Sequence, residues 1–273
     1  MKNPLLQCSI ACLLGLSSVL PVSTQAADPR KLLVVTVTKG FRHSSIPTAE
    51  KVLAELGQKS GAFNVDYVRN DEEMAEKMTA AALRQYDGLI FANTTGDLPL
   101  PDKQAFIDWI KSGKAFVGMH SASDTFPGFP PYIEMLGGEF ETHHAQVKVD
   151  CKNHDPKHPA TRHLGPTFTV FDEIYLLKNF RRDQVHVLLA LDAHPNEKTP
   201  GFYPVAWSKH FGNGRVFYTS LGHREDLWDP NWADKNGHRE DSKEVSEAYR
   251  EHILGGIKWA LGLEPGDAKP QAR

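Results

Sequence analysis

The chain has 273 residues, of which 40% are hydrophobic and 24% are charged, and its formal net charge is −3 at pH 7. These values are ordinary for a globular protein with a full hydrophobic core. The sequence carries no basic stripe, so we expect no nucleic-acid partner. Beyond the first 26 residues no segment is long and apolar enough to span a bilayer, and a small, neutral or weakly acidic substrate fits this composition best.

Residues 1–26 have the composition of a signal peptide. Lys2 is the only charged side chain before Asp28, and the stretch 10–20 is mostly apolar. Small residues precede position 27, where a signal peptidase would cleave. The apolar stretch is too short for a membrane span, which needs about 20 residues. We therefore predict export to the periplasm or the exterior, with cleavage after Ala26.

The cysteines agree with this prediction. Cys8 and Cys12 lie inside the signal segment, and most of the apolar stretch follows them although a lipoprotein signal would place it before. Lipid attachment at Cys12 is therefore disfavoured. Cys151 is the only cysteine of the predicted mature chain, so no intramolecular disulfide can form. Its strand-like surroundings favour a packed side chain over a nucleophile.

The first half of the mature chain alternates strands and helices. Continuous apolar or β-branched runs predict strands, and apolar residues at helical spacing predict helices. The predicted strands are 32–37, 63–68, 88–93 and one beginning at 115, and the predicted helices are 46–59, 79–83 and 101–112. This alternation indicates βαβ units, and hence an α/β fold with a doubly wound, mainly parallel sheet flanked by helices.

The second half is richer in strands and closes with one helix. The predicted strands are 146–150, 168–171, 173–177, 185–191, 204–209 and 215–219, and the helix is 242–261. Residues 264–273 are polar and contain Pro and Gly, which predicts a flexible tail. No internal repeat or linker is visible, so a single domain is expected.

The strand beginning at 115 leads into a turn with the pattern of a nucleophile elbow, Gly118-Met119-His120-Ser121-Ala122. Such a turn presents its central side chain above the carboxyl edge of a parallel sheet. An imidazole at that position, in place of a thiol or hydroxyl, favours metal binding or acid–base chemistry over acyl transfer. Ser121 follows one position too late to act as the nucleophile.

Polar side chains follow several predicted strands at their carboxyl ends, where ligands bind in open α/β sheets. His43, His120 and His223 each lie in the loop just past a strand, so we expect them to approach one cleft. Neighbouring loops add three candidates for binding sugar hydroxyls, which are Asn93, Asp97 and Arg224. Nucleotide binding has no support, because no Gly-x-Gly-x-x-Gly follows a strand and no Walker loop occurs.

A further contribution to this cleft is expected from Glu141 and His143. Two positions apart on an extended strand, they would face the same side. Zinc and similar metals favour neutral imidazole together with a carboxylate, and a catalytic site leaves one position open. The sequence thus predicts a divalent metal, with zinc as a candidate, held by a subset of His43, His120 and His223 with Glu141 or His143. A surface pair is the alternative for His143 and His144.

These residues and motifs resemble the ThuA-like (trehalose utilisation) family, which has the class I glutamine amidotransferase-like, flavodoxin-like fold without the catalytic cysteine. The resemblance spans 31–263, with a departure at His144, where similar proteins often have Pro. The matching segments are 38–43, 86–88, 118–125, 136–140, 158–159, 172–175, 204–207, 214–218, 221–223 and 256–260.

The resemblance implies catabolism of trehalose, a related disaccharide or glycoside, or a 3-keto derivative, in functional association with a sugar oxidoreductase. Our leading hypothesis is a metal-assisted enzyme. A base removes the proton beside the sugar carbonyl, the metal stabilises the resulting oxyanion, and loss of the C1 substituent cleaves the glycosidic bond. The candidate bases are His120, Glu141 and Asp124. For Asp172 and Glu173 we favour a structural role at a strand edge.

The alternative hypothesis is a non-catalytic sugar-binding or accessory protein. Trp207, Trp228 and Trp232 would then be candidates to stack on sugar faces, although the strand around Trp207 favours a core position. A glutamine amidotransferase is disfavoured, because the elbow lacks a cysteine.

Overall fold

The structure, a computed structural model, describes Met1 and residues 28–271. Apart from Met1, the predicted signal peptide, with Cys8 and Cys12, lies outside the described residues. None of the helices within the described part is long and apolar enough to cross a membrane.

The elements follow one another in the order expected for an α/β chain with a strand-rich second half. The strands are β1 (Arg30–Val35), β2 (Phe63–Val68), β3 (Gly88–Ala92), β4 (Ala115–Met119), β5 (Glu139–His143), β6 (Val147–Asn153), β7 (Thr167–Asp172), β8 (Tyr175–Lys178), β9 (His186–Ala193), β10 (Pro200–Phe211) and β11 (Gly214–Thr219). The helices are α1 (Ile46–Ser60), α2 (Asp71–Lys77), α3 (Ala80–Leu83), α4 (Lys103–Lys111), α5 (Pro130–Leu136), α6 (Glu225–Trp228) and α7 (Lys243–Ala260). One-turn 3₁₀ helices span His120–Asp124 and Arg182–Gln184.

Nine of the strands form one sheet in the order β2-β1-β3-β4-β11-β10-β9-β6-β7. The neighbours from β2 to β11 run parallel, and the remaining pairs are antiparallel. Strands β5 and β8 form a separate antiparallel pair. The predicted α/β fold, with helices flanking the sheet and a strand-rich second half, is confirmed.

The parallel half is the centre of the core. Every residue of β3 and β4 is buried, as expected for strands covered by helices on both faces. Helices α1 and α7 cover one face, where Leu53 and Ile257 belong to one apolar cluster, and α4 and α5 cover the other. The carboxyl ends of β1, β3, β4 and β11 therefore open at one edge of the sheet, and the loops that follow them meet there.

Three helices, α2, α5 and the single turn α6, were not predicted. Helix α2 buries only Met74, and its acidic sequence shows no apolar face. Its start is stabilised by Asn70, whose side chain accepts a hydrogen bond from the Glu73 backbone N–H. Helix α5 is a short segment that begins at Pro130 and ends at Gly137, where φ is +100°. All three helices are too short for an apolar pattern to stand out.

The predicted strand 173–177 differs from the structure in a way that matters for the site. Strand β7 continues to Asp172 and β8 begins only at Tyr175, so Glu173 lies in the turn between them. The antiparallel pairing of β5 with β8 determines this register, and Tyr175 pairs with His143. Because Glu173 is in a turn, its side chain need not follow the alternation between the two faces of a strand that the predicted strand would have imposed.

The C-terminal tail makes several contacts with the rest of the chain. The indole N–H of Trp259 donates to the carbonyl of Gly266 (3.1 Å), and the Lys269 carbonyl lies 2.9 Å from Nδ1 of His186. Glu264 forms ion pairs with Arg162 (2.7 Å) and Lys258 (3.2 Å). Residues up to Lys269 therefore pack along the antiparallel half of the sheet. Their polar composition reflects these contacts.

The close approach of α7 to the sheet yields a stability prediction. A Cβ atom at Gly256 would overlap the ring of Phe217 in β11. We expect Gly256→Ala to lower the free energy of unfolding by about 1–3 kcal/mol, because overpacking outweighs the roughly 1 kcal/mol gain in helix propensity. Urea denaturation of the mature chain measures this. Glu251→Ala, on the exposed face of α7, is the control and should change little. Equal stability of the two variants would contradict this packing argument.

Candidate metal centre

Four buried or largely buried side chains direct their polar atoms to one point above the parallel sheet edge, and together they could hold a metal ion. Nε2 of His120 lies 3.2 Å from Nε2 of His43 and 3.2 Å from Nδ1 of His223. Oε2 of Glu173 lies 3.7 Å from Nε2 of His120 and 3.2 Å from Nδ1 of His223. The sequence predicted the convergence of the three histidines, and the structure brings them together.

His120 occupies the elbow predicted from the sequence. Its φ is +48°, an unusual value for a residue with a side chain, and such local strain is concentrated at functional sites. The hydroxyl of Tyr218 donates to the His120 carbonyl (2.7 Å) and holds the turn. Nδ1 of His120 lies 2.8 Å from the Ser220 carbonyl, which can only accept, so this nitrogen carries the proton. In the neutral ring Nε2 therefore presents a lone pair to the cluster.

Within the cluster, the two most buried imidazoles, His43 and His120, are held in the neutral form. Burial and then the charge of His223 lower the pKa of His43 to about 4. Burial, followed by the charges of His43 and His223, holds the pKa of His120 well below its usual value. Neutral imidazole is the form that binds metals, so both rings are prepared for this role at neutral pH.

His223 differs from the other two. Burial acts to lower its pKa, but the hydrogen bond to Glu173 and the charges of Asp172 and Glu173 outweigh that effect and raise the pKa. The negative charge of Glu173 can therefore be neutralised in two ways. Either His223 is protonated and pairs with it, or both side chains bind a cation.

Asp172 positions two of the four groups. One carboxylate oxygen accepts the Glu173 backbone N–H (2.9 Å), and the other accepts the Gly222 backbone N–H (2.7 Å). Its side chain is fully buried, and burial raises its pKa to about 7. The turn that carries Glu173 and the loop that carries His223 are thereby joined through one carboxyl group, although they are separated by 50 positions in the sequence.

The arrangement fits a divalent cation. Bonds of about 2.0–2.2 Å from zinc to nitrogen or oxygen place tetrahedral ligand atoms roughly 3.4 Å apart. The separations of 3.2–3.7 Å measured from His120 Nε2 are close to that value. The lone pair on His120 Nε2 can accept one good hydrogen bond, yet polar atoms of His43, His223 and Glu173 all lie near this nitrogen. A cation at the centre would bind all four atoms. Imidazole with carboxylate also suits iron or nickel.

A second cluster, formed by His144, His194 and Glu197, has the composition of a metal site but a less suitable hydrogen-bond pattern. Nδ1 of His194 accepts the backbone N–H groups of Asn196 (3.3 Å) and Glu197 (3.0 Å). The proton of the neutral ring is therefore on Nε2, which leaves no lone pair for a metal. The first cluster is therefore the better candidate for a metal site.

The carboxylate of the cluster is Glu173, for which the sequence favoured a structural role. The available signal was an acidic pair directly after a predicted strand, but the predicted register placed Glu173 within the next strand. His143 lies outside the group of four, with its Nδ1 3.1 Å from the other oxygen of Glu173. Glu141 is exposed and lies at an irregularity in the pairing of β5 with β8. It does not line the cavity beside the cluster, which is described below.

The three residues predicted to bind sugar hydroxyls are engaged elsewhere. The amide of Asn93 is buried and donates to Ser45 and to the Gly222 carbonyl, both at 3.0 Å, so it supports the loop before His223. Asp97 is exposed and pairs with Lys103. Arg224 is paired with Asp226 (2.9 Å) and donates to Gln146 (2.9 Å). The partners of Asn93, and Gln146 as a partner of Arg224, are distant in sequence, whereas Lys103 and Asp226 lie within six positions of the residues with which they pair.

A cavity of about 230 Å³ adjoins the cluster. Its walls combine aromatic, acidic and imidazole groups, which are Phe41, His43, Thr95, Asp124, Phe140, His143, Glu173 and Tyr175. Burial, and then the charge of Glu139, raise the pKa of Asp124. Asp124 is therefore a stronger base than an ordinary aspartate.

Trp207 and Trp228, which the alternative hypothesis assigned to sugar stacking, are fully buried in the core.

Comparisons with known proteins agree with this architecture. The sequence profile of the ThuA family, described as trehalose utilisation, matches residues 31–236. A ThuA-like protein from Parabacteroides merdae is 19% identical, with a TM-score of 0.66 over 85% of this chain and 90% of its own. One from Bacteroides uniformis is 19% identical, with a TM-score of 0.66 over 88% and 95%. No curated protein matched the sequence.

A more distant likeness extends to part of a larger enzyme. A β-galactosidase from Bacillus circulans is 12% identical, with a TM-score of 0.52 over 89% of this chain and 32% of the enzyme. At this identity the likeness concerns the fold alone.

The geometry predicts that metal content depends on Glu173. We expect zinc-supplemented wild-type protein to bind about one cation per chain, and Glu173→Gln to weaken zinc binding by at least about ten-fold, because it removes the only negative charge of the cluster. Elemental analysis and competition with a chromophoric chelator measure this. Glu197→Gln, in the second cluster, is the matched control. Loss of zinc from the control, or full retention in Glu173→Gln, would contradict the assignment.

Proposed function

The chain belongs to the ThuA (trehalose utilisation) family, and from this premise we propose that it is a metal-assisted enzyme that cleaves a disaccharide, a glycoside or its 3-keto derivative. Family membership supports a role in carbohydrate metabolism. The observation that carries the finer proposal is the convergence of His43, His120, Glu173 and His223 beside a cavity that also contains Asp124. A sugar oxidoreductase acting earlier would supply the 3-keto substrate.

The proposed chemistry begins at the carbon next to the carbonyl. A ketone at C3 of the sugar acidifies the hydrogen on C2. His43, His120, Glu173 and His223 would hold a divalent cation, whose positive charge would stabilise the negative charge that develops on the carbonyl oxygen. Asp124 removes the C2 proton, the C1–C2 double bond forms, and the C1–O bond breaks. The proton is then transferred to the leaving oxygen, and the products are an unsaturated keto sugar and a free alcohol.

Among the predicted bases, Asp124 has the most suitable position. It lines the cavity, and burial makes its carboxylate more basic than usual. His120 directs its free nitrogen to the cluster, so it serves as a ligand in this proposal. Glu141 lies outside the cavity wall, and Glu173 is committed to the cluster.

This mechanism predicts a specific defect in Asp124→Asn. We expect its kcat to fall by about 10²–10⁴-fold while metal content is retained, because the amide cannot accept the C2 proton. The assay is mass spectrometry of products from 3-keto-trehalose and a 3-keto-glucoside, with protein stripped of metal and reloaded. Asp108→Asn, an exposed aspartate on α4, is the matched control.

The outcomes separate the two hypotheses. Turnover that survives both metal removal and Asp124→Asn would rule out this mechanism. A metal-free protein that binds sugar and turns over none would favour the non-catalytic, accessory role instead.

We also propose that the protein acts after export to the periplasm or the exterior, on the basis of the signal-peptide pattern of residues 1–26. We expect cell fractionation to recover a mature chain that begins at Ala27. Cys12→Ser should leave both its location and its N-terminus unchanged, since lipid attachment is not expected. Full-length protein in the cytoplasm, or loss of membrane association in Cys12→Ser, would contradict this proposal.

A further inference from the structure

Phe41 is an exposed aromatic side chain at the edge of the candidate site. It is 67% exposed and, apart from Met1 and Leu263, is the only large hydrophobic residue exposed within the described part of the chain. Its ring packs edge-to-face on His43, with centroids 4.9 Å apart, and it lines the cavity. Exposure of a single apolar side chain is common in proteins, but this ring lies in the wall of a cavity, where its free face can contact a ligand.

The backbone holds Phe41 in this position. Thr95 Oγ1 donates to the Phe41 carbonyl (2.9 Å) and accepts the Gly40 backbone N–H (3.2 Å), and the Thr95 carbonyl accepts the Lys39 backbone N–H (2.8 Å). Thr38 and Thr95 also form a parallel bridge that continues the edge of the sheet. The exposure of the ring is therefore a property of a well-anchored loop.

Two further aromatic groups line the same cavity. The rings of Phe140 and Tyr175 have centroids 4.4 Å apart, and Tyr175 lies 4.4 Å from His120. Apolar ring surfaces thus adjoin the imidazoles, Asp124 and Glu173 within one space. A pyranose ring matches this combination, because its C–H face packs on the electron-rich face of an aromatic ring while its hydroxyl edge binds polar groups.

The size of the cavity limits what enters it. Its volume of about 230 Å³ is below the ~300–1,000 Å³ of pockets that enclose drug-sized ligands. This volume is of the order expected for one six-membered sugar ring, so the second ring of a disaccharide would extend beyond the cavity. The second unit of a disaccharide, or any other C1 substituent, would remain outside.

We propose that the cavity recognises a single pyranose ring, stacked on Phe41, and leaves the C1 substituent in solvent. This inference rests on the proposed function for the choice of a sugar. It assigns Phe41 as the residue that selects for a closed ring, and it makes the site tolerant of different C1 substituents.

The test is isothermal titration of the zinc-loaded mature protein with methyl α-glucoside, trehalose and glucitol. The first two share a pyranose ring, and glucitol is its open-chain counterpart. None carries a C3 carbonyl, so the proposed chemistry does not consume them. We expect the two ring sugars to bind with Kd values within about three-fold of each other, and glucitol to bind at least about ten-fold more weakly.

Variants at Phe41 define the cause. Phe41→Ala should weaken binding of both ring sugars by about ten-fold or more, since the buried aromatic contact is lost. Phe41→Trp should retain affinity because it keeps a flat aromatic face, whereas Phe41→Leu, apolar but not flat, should resemble Phe41→Ala. Leu263→Ala, at the other exposed hydrophobic position, is the matched control and should bind as the wild type does.

Several results would overturn the inference. These are equal affinity for glucitol, trehalose binding more than ten-fold tighter than methyl α-glucoside, unchanged affinity in Phe41→Ala, and no binding of either ring sugar. The proposed function fails separately, through absence of metal-dependent turnover of 3-keto sugars. Ring binding without turnover would uphold the single-ring site and reject the chemistry, and turnover with two-ring selectivity would do the reverse.

Discussion

The structure depends on the burial of several polar groups at one edge of a parallel sheet. His120 is fully buried, and its free nitrogen faces two imidazoles and a carboxylate. Burying such groups without compensation costs several kcal/mol. The protein compensates locally, with the Ser220 carbonyl on the far side of the His120 ring and the pairing of His223 with Glu173. A cation at the centre would complete this compensation.

Asp172 extends the same constraint to two loops of the second half of the chain. Through its two oxygens it holds the turn before β8 and the loop after β11 in one arrangement. Gly222 in that loop has φ of +124°, and its carbonyl accepts hydrogen bonds from Asn93 and from the indole of Trp228. Ligands supplied by separate loops are thus held by buried hydrogen bonds, which is the usual way in which a metal site keeps its geometry.

The cluster lies beside an aromatic cavity, so the candidate metal ligands and the proposed sugar-binding surface are neighbours. Asp124 follows His120 within the same 3₁₀ turn, so the strained elbow places a ligand and the proposed base on one short segment. Phe41 precedes His43 in the loop after β1, so another short segment supplies an aromatic surface and a second ligand. In the proposed mechanism, the same loops therefore carry both the chemistry and the recognition of the sugar.

The sequence alone determined the α/β fold, the elbow and the three converging histidines, because strand–helix alternation and residues just past strand ends are local patterns with a known spatial consequence. Tertiary structure decided the rest. Glu173 joins the cluster because pairing of β5 with β8 leaves it in a turn, and the same irregular pairing accompanies the exposed position of Glu141. Asn93 donates to the Gly222 carbonyl and Arg224 to Gln146, and both partners are distant in sequence. Short elements such as α2 and α5 form through contacts and caps, which a periodicity does not show. A carboxylate becomes a ligand when its backbone register directs it inward, and that register is a property of the assembled sheet.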